Sequence, residues 1–248
     1  MAYNSQLTRL YEEYKAKWSE TRQRGTLPQG LLQRLSCPLL LHIKDGLWDS
    51  SKYRILLVGQ ETLGWDDGKK GAFQKMQDFL AKPESVEQIQ SVYEGFNFGA
   101  TYTPSPFWQV YREARHVTEA DRDYSVMWSN LYRCCYNGGS VFKAGMEEQQ
   151  VLMEMSREIF VDELKILKPR AVIFTTGPAF DETINQFFPG NVFADFSSER
   201  NNQRQLARIE HPDLPQGKSY RTYHPNYLRR TQKWDLFQKI LVDIQQAE

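Results

Sequence analysis

Three side-chain types suited to acid–base work, or to reading a planar ligand, stand at the ends of short strand-like runs in this chain. Glu61 lies in Gly59-Gln60-Glu61-Thr62, directly after the run YRILLVG. Asn130 closes YSVMWSNL, Thr176-Gly177 follows AVIFT, and His224-Pro225-Asn226 follows SYRTY. A carboxylate can orient water and stabilise positive charge. An imidazole can stabilise negative charge as it develops. An asparagine amide offers both a donor and an acceptor. Backbone N–H groups in a glycine turn can hold an anion or a carbonyl oxygen.

These groups act together only if the elements before them are parallel strands. Short, nearly continuous apolar runs are the pattern of strands buried on both faces. In an open parallel sheet, ligands bind beyond the carboxyl ends. The spacing predicts strands over 53–59, 124–131, 171–175 and 219–224. Leu7, Leu10, Tyr11, Tyr14 and Trp18 give an amphipathic helix over 4–24. Residues 31–43 read as a second helix or an extended arm, 60–71 as loop, and 73–93 as helix broken near Pro83. Further helices are expected from Pro106, over 146–167, around Ile184 and over 231–246. Residues 191–217 are polar and read as loops or a weak hairpin. The expected fold is α/β: a three-layer αβα sandwich around a mostly parallel four-stranded sheet. It is expected to be one domain over 1–248, with 1–50 as a helical extension packed on it.

The order of these segments resembles the uracil-DNA glycosylase superfamily. Gly59-Gln60-Glu61-Thr62-Leu63 is similar to its water-activating motif, Gly-Gln-Asp-Pro-Tyr. Asn130 in Trp128-Ser129-Asn130-Leu131 resembles its base-reading asparagine. Leu167-Lys168-Pro169-Arg170 with Ala171 to Phe174 resembles its helix–Lys-Pro–strand segment. His224-Pro225-Asn226-Tyr227-Leu228 resembles its His-Pro-Ser-Pro-Leu loop. The resemblance covers about residues 53–246. It implies a fold like that of uracil-DNA glycosylase, DNA as partner, and hydrolysis of the N-glycosidic bond of a base taken out of the stack. Glu61 and His224 would be catalytic. Gln60, Leu63, Asn130 and Phe98 would bind the base. Leu228 would be the wedge that fills the vacated space. Arg221, Arg229, Arg230 and Lys233 cluster in sequence around His224 and would suit phosphates.

Each assignment has a structural competitor. Glu61 can be a solvated loop carboxylate, Asn130 a turn cap, and His224 a packed imidazole. Asp66 and Asp67 read as turn or capping residues that can also assist Glu61. Phe73 and Phe96 compete with Phe98 for stacking on the base, and Trp65 and Trp108 read as packing residues. His211-Pro212 has no predicted strand before it and reads as loop.

The sequence departs from the family pattern at three neighbouring positions. Glutamate replaces the aspartate and reaches one methylene further. Thr62 replaces a proline and supplies a hydroxyl. Leu63 replaces the tyrosine that, in the family, excludes the thymine methyl. A base carrying a 5-substituent is therefore the favoured substrate, with modified cytosine in phage DNA as the defence-related case. Housekeeping removal of uracil and a non-catalytic DNA-binding module are the alternatives.

Bulk properties narrow the partners. Among 248 residues, 31 basic and 31 acidic side chains cancel, so any DNA footprint must be a local patch. No apolar run approaches the roughly 18 residues of a membrane span. Residues 1–10 lack the apolar core of a signal peptide, and a cytoplasmic protein is expected. Three cysteines, two of them adjacent, make a poor disulfide framework and cannot supply an iron–sulfur cluster. No metal cluster or cofactor motif is visible, and no lysine occupies a motif position, so a monofunctional enzyme is expected.

Overall fold

The computed structural model describes residues 2–62, 75–98, 105–117, 125–196 and 202–246; for 96–98 and 117 it describes the backbone alone. Among the described residues the helices are α1 (Tyr3–Gln23), α2 (Leu31–Arg34), α3 (Asp45–Ser50), α4 (Met76–Ala81), α5 (Ser85–Phe98), α6 (Pro106–Val117), α7 (Met146–Leu167), α8 (Asp181–Phe187), α9 (Pro225–Arg230) and α10 (Asp235–Gln245). The strands are β1 (Ile55–Glu61), β2 (Val126–Tyr132), β3 (Ala171–Phe174), β4 (Val192–Asp195), β5 (Leu206–Glu210) and β6 (Ser219–Thr222). No helix among the described residues is long and apolar enough to cross a membrane.

The fold is α/β, but the sheet has six strands rather than four and is mixed. Its order is β2-β1-β3-β6-β5-β4. β1 pairs parallel with β3, and β3 with β6; β5 is antiparallel to both β6 and β4. The two extra strands come from the polar stretch 191–217. β5 hides its apolar content: Leu206, Ala207 and Ile209 are buried, while Arg208 lays its guanidinium over the Phe196 and Tyr220 rings. β4 is the edge strand and its end residues are exposed, which weakens the alternating signal that sequence reading needs.

The chain divides into two compact units, and two of the divisions fall inside β1 and β2. The first comprises Met1–Ile43, Glu61–Gly99 and Asn130–Ile166; the second comprises Lys44–Gln60, Ala100–Ser129 and Leu167–Glu248.

In the first unit, α1 buries Leu7, Tyr11, Tyr14 and Trp18, the stripe that its spacing predicts. Lys15 joins them because its ammonium donates to the carbonyls of Lys82 (2.5 Å) and Pro83 (2.8 Å), just past the end of α4. A cation there satisfies carbonyls that the helix leaves open. Residues 35–43 form an extended arm: the Ser36 N–H donates to Cys135 O (3.1 Å) and the Leu39 N–H to Arg133 O (2.8 Å). The core of this unit holds an ion pair between Arg133 and Glu163, completed by the Tyr11 hydroxyl, which donates to Glu163 at 2.6 Å. Burial pushes the Glu163 carboxyl up to about 7, against the pull of Arg133 and Tyr11.

In the second unit, β3 and β6 are buried along their whole length, as interior strands covered on both faces are. Trp108 on α6 packs edge-on against Tyr111 and against Trp128 of β2. It is a packing residue, as its competing reading held. Glu113 of α6 accepts from Trp234 Nε1 and Gln238 Nε2, tying α6 to α10. Asp243 of α10 takes hydrogen bonds from Tyr220 (2.5 Å) and Arg208 (2.7 Å), anchoring that helix to β5 and β6.

Candidate functional site

The second unit holds Gln60, one residue before the end of β1, and the strand-end residues of β3 and β6. Because these strands run parallel, their carboxyl ends share one edge of the sheet. Gln60 is on β1 itself rather than in a loop, since the strand continues through Glu61. Its amide nitrogen donates to Thr176 O at 2.7 Å. That bond fixes the amide orientation and leaves the side-chain carbonyl oxygen as the acceptor of the group. Thr176 is buried, and its hydroxyl has no hydrogen-bond partner among the described residues.

Gly177 takes φ +77° and ψ 166°, a region open in practice to glycine alone. Its N–H donates to Thr222 O at 2.9 Å. A Cβ at this position would stand 3.6 Å from the His224 nitrogen. The turn after β3 therefore lies against the turn after β6. Replacing Gly177 with alanine is expected to cost about 1–3 kcal/mol from backbone strain. Thermal melting of the variant checks this, and an unchanged midpoint would contradict it.

His224 is the N-cap of α9, with Pro225 at the first helical position. Its Nδ1 accepts from the Asn226 N–H at 3.2 Å. An accepting Nδ1 leaves the proton on Nε2. Burial also holds the imidazole below its ordinary value, so the neutral form with an Nε2–H donor is favoured. His211 shows how local this device is. Contrary to expectation, His211-Pro212 does follow a strand, β5, and its Nδ1 accepts from the Asp213 N–H at 3.1 Å. β5 is antiparallel to β6, however, so His211 leaves the sheet at the opposite edge, where its ring packs on Phe188.

Two residues expected to contact DNA are buried. Arg221 is 2% exposed, and its guanidinium makes two hydrogen bonds to Asp181 (2.8 and 2.9 Å) and one to Arg204 O. It sits on β6, and a buried cation must be paired, so it is structural. Leu228 is fully buried; the amphipathic turn of α9 points it inward, so it is no exposed wedge. Arg229 and Arg230 are exposed. Lys233 is half-buried and donates to Gln205 Oε1 at 3.0 Å.

In the first unit, Glu61 is partly buried. One carboxylate oxygen accepts from the Val141 N–H at 3.5 Å, and the Ser140 hydroxyl is its other partner. Burial raises its pKa above the usual carboxyl value, and these two partners oppose the rise. Glu61 is thus not the solvated loop carboxylate of its competing reading; it holds the start of the 3-10 turn Val141–Lys143. Ser140 was not legible in the sequence as a partner, because 80 residues separate Val141 from Glu61. Thr62 is buried with an orphaned hydroxyl among the described residues. Asn130 is buried on β2, 5% exposed. Among the described residues no group of acidic, histidine and cysteine side chains is arranged to hold a metal ion. Leu63, Trp65, Asp66, Asp67 and Phe73 lie outside the described residues, as do the side chains of Phe96 and Phe98.

No protein-family model matches this chain, and no curated protein matches it.

Proposed function

We propose that the chain is a monofunctional DNA glycosylase that hydrolyses the N-glycosidic bond of a flipped-out 5-modified pyrimidine and leaves an abasic site. The observation that carries this reading is His224: a neutral imidazole with its proton on Nε2, beside a glycine turn that only glycine can form. When the bond from C1′ to the base breaks, the base leaves with the electron pair, and its charge collects on a ring carbonyl oxygen. A neutral Nε2–H can donate a hydrogen bond to that oxygen as the charge develops. In this proposal Gln60 offers its fixed carbonyl to a donor on the base, and Asn130 reads the base edge. Glu61, next after Gln60 on β1, orients the water that adds to C1′ and takes its proton. The three-layer, uracil-DNA-glycosylase-like arrangement expected from the sequence belongs to the same proposal.

Leu63 supports a 5-substituted base, because a leucine presents no aromatic wall to the 5-position. A modified cytosine in phage DNA is the substrate this favours. Competition between oligonucleotides carrying uracil and those carrying hydroxymethylated or glucosylated cytosine tests the assignment. The expected result is a higher kcat/KM on the modified cytosine; cleavage confined to uracil would return the chain to the housekeeping role.

One observation favours a second reading. Glu61 already serves the turn at Val141, and a carboxylate so used suits a binding module that holds DNA without cutting it. The pH profile separates the two. Catalysis needs Glu61 ionised and His224 neutral, so base release must fall as pH falls. Glu61 titrates above the ordinary carboxyl value of 4.5 and His224 below the ordinary imidazole value of 6.5. The acid limb of kcat/KM is therefore expected above the ordinary carboxyl value, and an activity that rises towards acid would contradict the assignment.

A further inference from the structure

The sheet edge opposite the His224 turn carries a basic cleft that the chemistry above does not use. β1, β3 and β6 run parallel, so the residues that enter them share this edge. Arg54, Arg170 and Lys218 each stand directly before one of the three strands. A cleft of about 280 Å³ opens there, lined by Lys52, Tyr53, Arg170 and Lys218 and by Ile244 and Gln245 at the end of α10. Among the described residues no carboxylate lines it. Lys52 and Arg170 are exposed, and Lys218 is half-buried.

The backbone entering the strands is bent to hold Arg170. Arg54 has φ +40° and Lys168 has φ +46°, in the left-handed region that residues with a Cβ avoid. Arg54 O accepts from the Arg170 N–H at 2.9 Å, and Lys52 O accepts from Arg170 Nη1 at 2.7 Å. The guanidinium is thus anchored through one nitrogen, and among the described residues it pairs with no carboxylate. The Lys52 ammonium lies over the Tyr53 ring, 5.4 Å from its centroid. Lys218 is committed to α10: its ammonium donates to Asp243 O at 2.5 Å and to the Asp243 carboxylate at 3.1 Å. Arg208 also pairs with Asp243, so that acid does not cancel the charge of Lys52 and Arg170.

We propose that this cleft binds a small phosphorylated ligand, with Arg170 and Lys52 taking the phosphate oxygens. A guanidinium held by one nitrogen keeps N–H groups for a forked bond to phosphate, and an ammonium beside it adds charge. Strained non-glycine backbone persists where the surrounding structure fixes it, and it gathers at ligand sites. A cleft of this size takes a diphosphate group and excludes a duplex. The competing role is helix capping, since α7 ends at Leu167 and α10 at Gln245 and cations there offset the helix dipoles. That role needs no ligand.

Calorimetric titration of the full chain with inorganic diphosphate at low salt tests this. Arg170→Gln and Lys52→Gln each remove one charge from the cleft, and Arg9→Gln removes an exposed charge on α1; thermal melting confirms that each is folded. The expected result is saturable one-to-one binding by wild type and by Arg9→Gln. Arg170→Gln and Lys52→Gln are each expected to bind about tenfold more weakly. No saturable binding by wild type, or equal binding by all four proteins, would overturn the site and leave its cations to the helix ends. Displacement of diphosphate by oligothymidylate would also overturn it, by making the cleft a contact for a DNA backbone. The titration involves no base release, so its outcome is independent of the glycosylase reading.

Discussion

Replacing Glu61 with glutamine is expected to lower base release by about 10²- to 10⁴-fold while leaving the fold intact. The side chains are nearly isosteric, and glutamine keeps an oxygen for the Val141 N–H and the Ser140 hydroxyl, the two partners of the carboxylate. The turn at Val141 should therefore hold, and what is removed is the charge and the ability to take a proton from water. A role limited to holding the turn predicts the reverse pattern: a changed melting temperature with any base release retained. Measuring kcat and thermal midpoint on the same preparation separates the two roles. Activity retained in the variant would move the assignment to Asp66 or Asp67.

The second large effect lies in the core of the first unit. Glu163→Gln is expected to destabilise the fold by roughly 3–5 kcal/mol, because breaking a buried pair leaves an uncompensated charge. Arg133 is fully buried and Glu163 is 1% exposed. Glu163 also accepts from the Tyr11 hydroxyl. Glutamine offers one acceptor oxygen where the carboxylate serves both partners through two. Its amide hydrogens would face either a guanidinium or a phenol that needs an acceptor. Urea denaturation of wild type and variant reads the difference. Replacing both partners with apolar residues of similar size is expected to restore much of the loss, since a well-packed apolar pair is often as stable as a buried ion pair. A cost below about 1 kcal/mol for the single change would show that water or rearrangement reaches the pair.

Of the strands that carry the candidate site, β1, β2 and β3 were legible in the sequence as largely apolar runs, whereas β6 (SYRT) is not one. β1, β2, β3 and β6 lie within a few residues of their expected places. β4 and β5 were legible only as the weak-hairpin alternative for 191–217, because their apolar residues are interleaved with charged ones that find partners only in the fold. The charge cluster around His224 misled for a related reason. Arg221 is a surface cation by residue type, but it is on a buried strand beside Asp181, 40 residues away. Leu228 misled because one turn of helix turns its side chain inward, and a motif position carries no information about facing. Gln60 and Glu61 were expected in a loop, because glycine at 59 reads as a strand end; the strand instead runs through both. That continuation is what buries the Glu61 carboxylate.

The central claim is that this chain releases a free base from DNA. Mass spectrometry of the small-molecule fraction tests it most directly, after incubation with DNA containing uracil, hydroxymethylcytosine or glucosylated hydroxymethylcytosine. The account predicts the free modified pyrimidine, with an abasic strand that stays uncut until treated with alkali. DNA bound by the protein but yielding no free base from any of the three would contradict it.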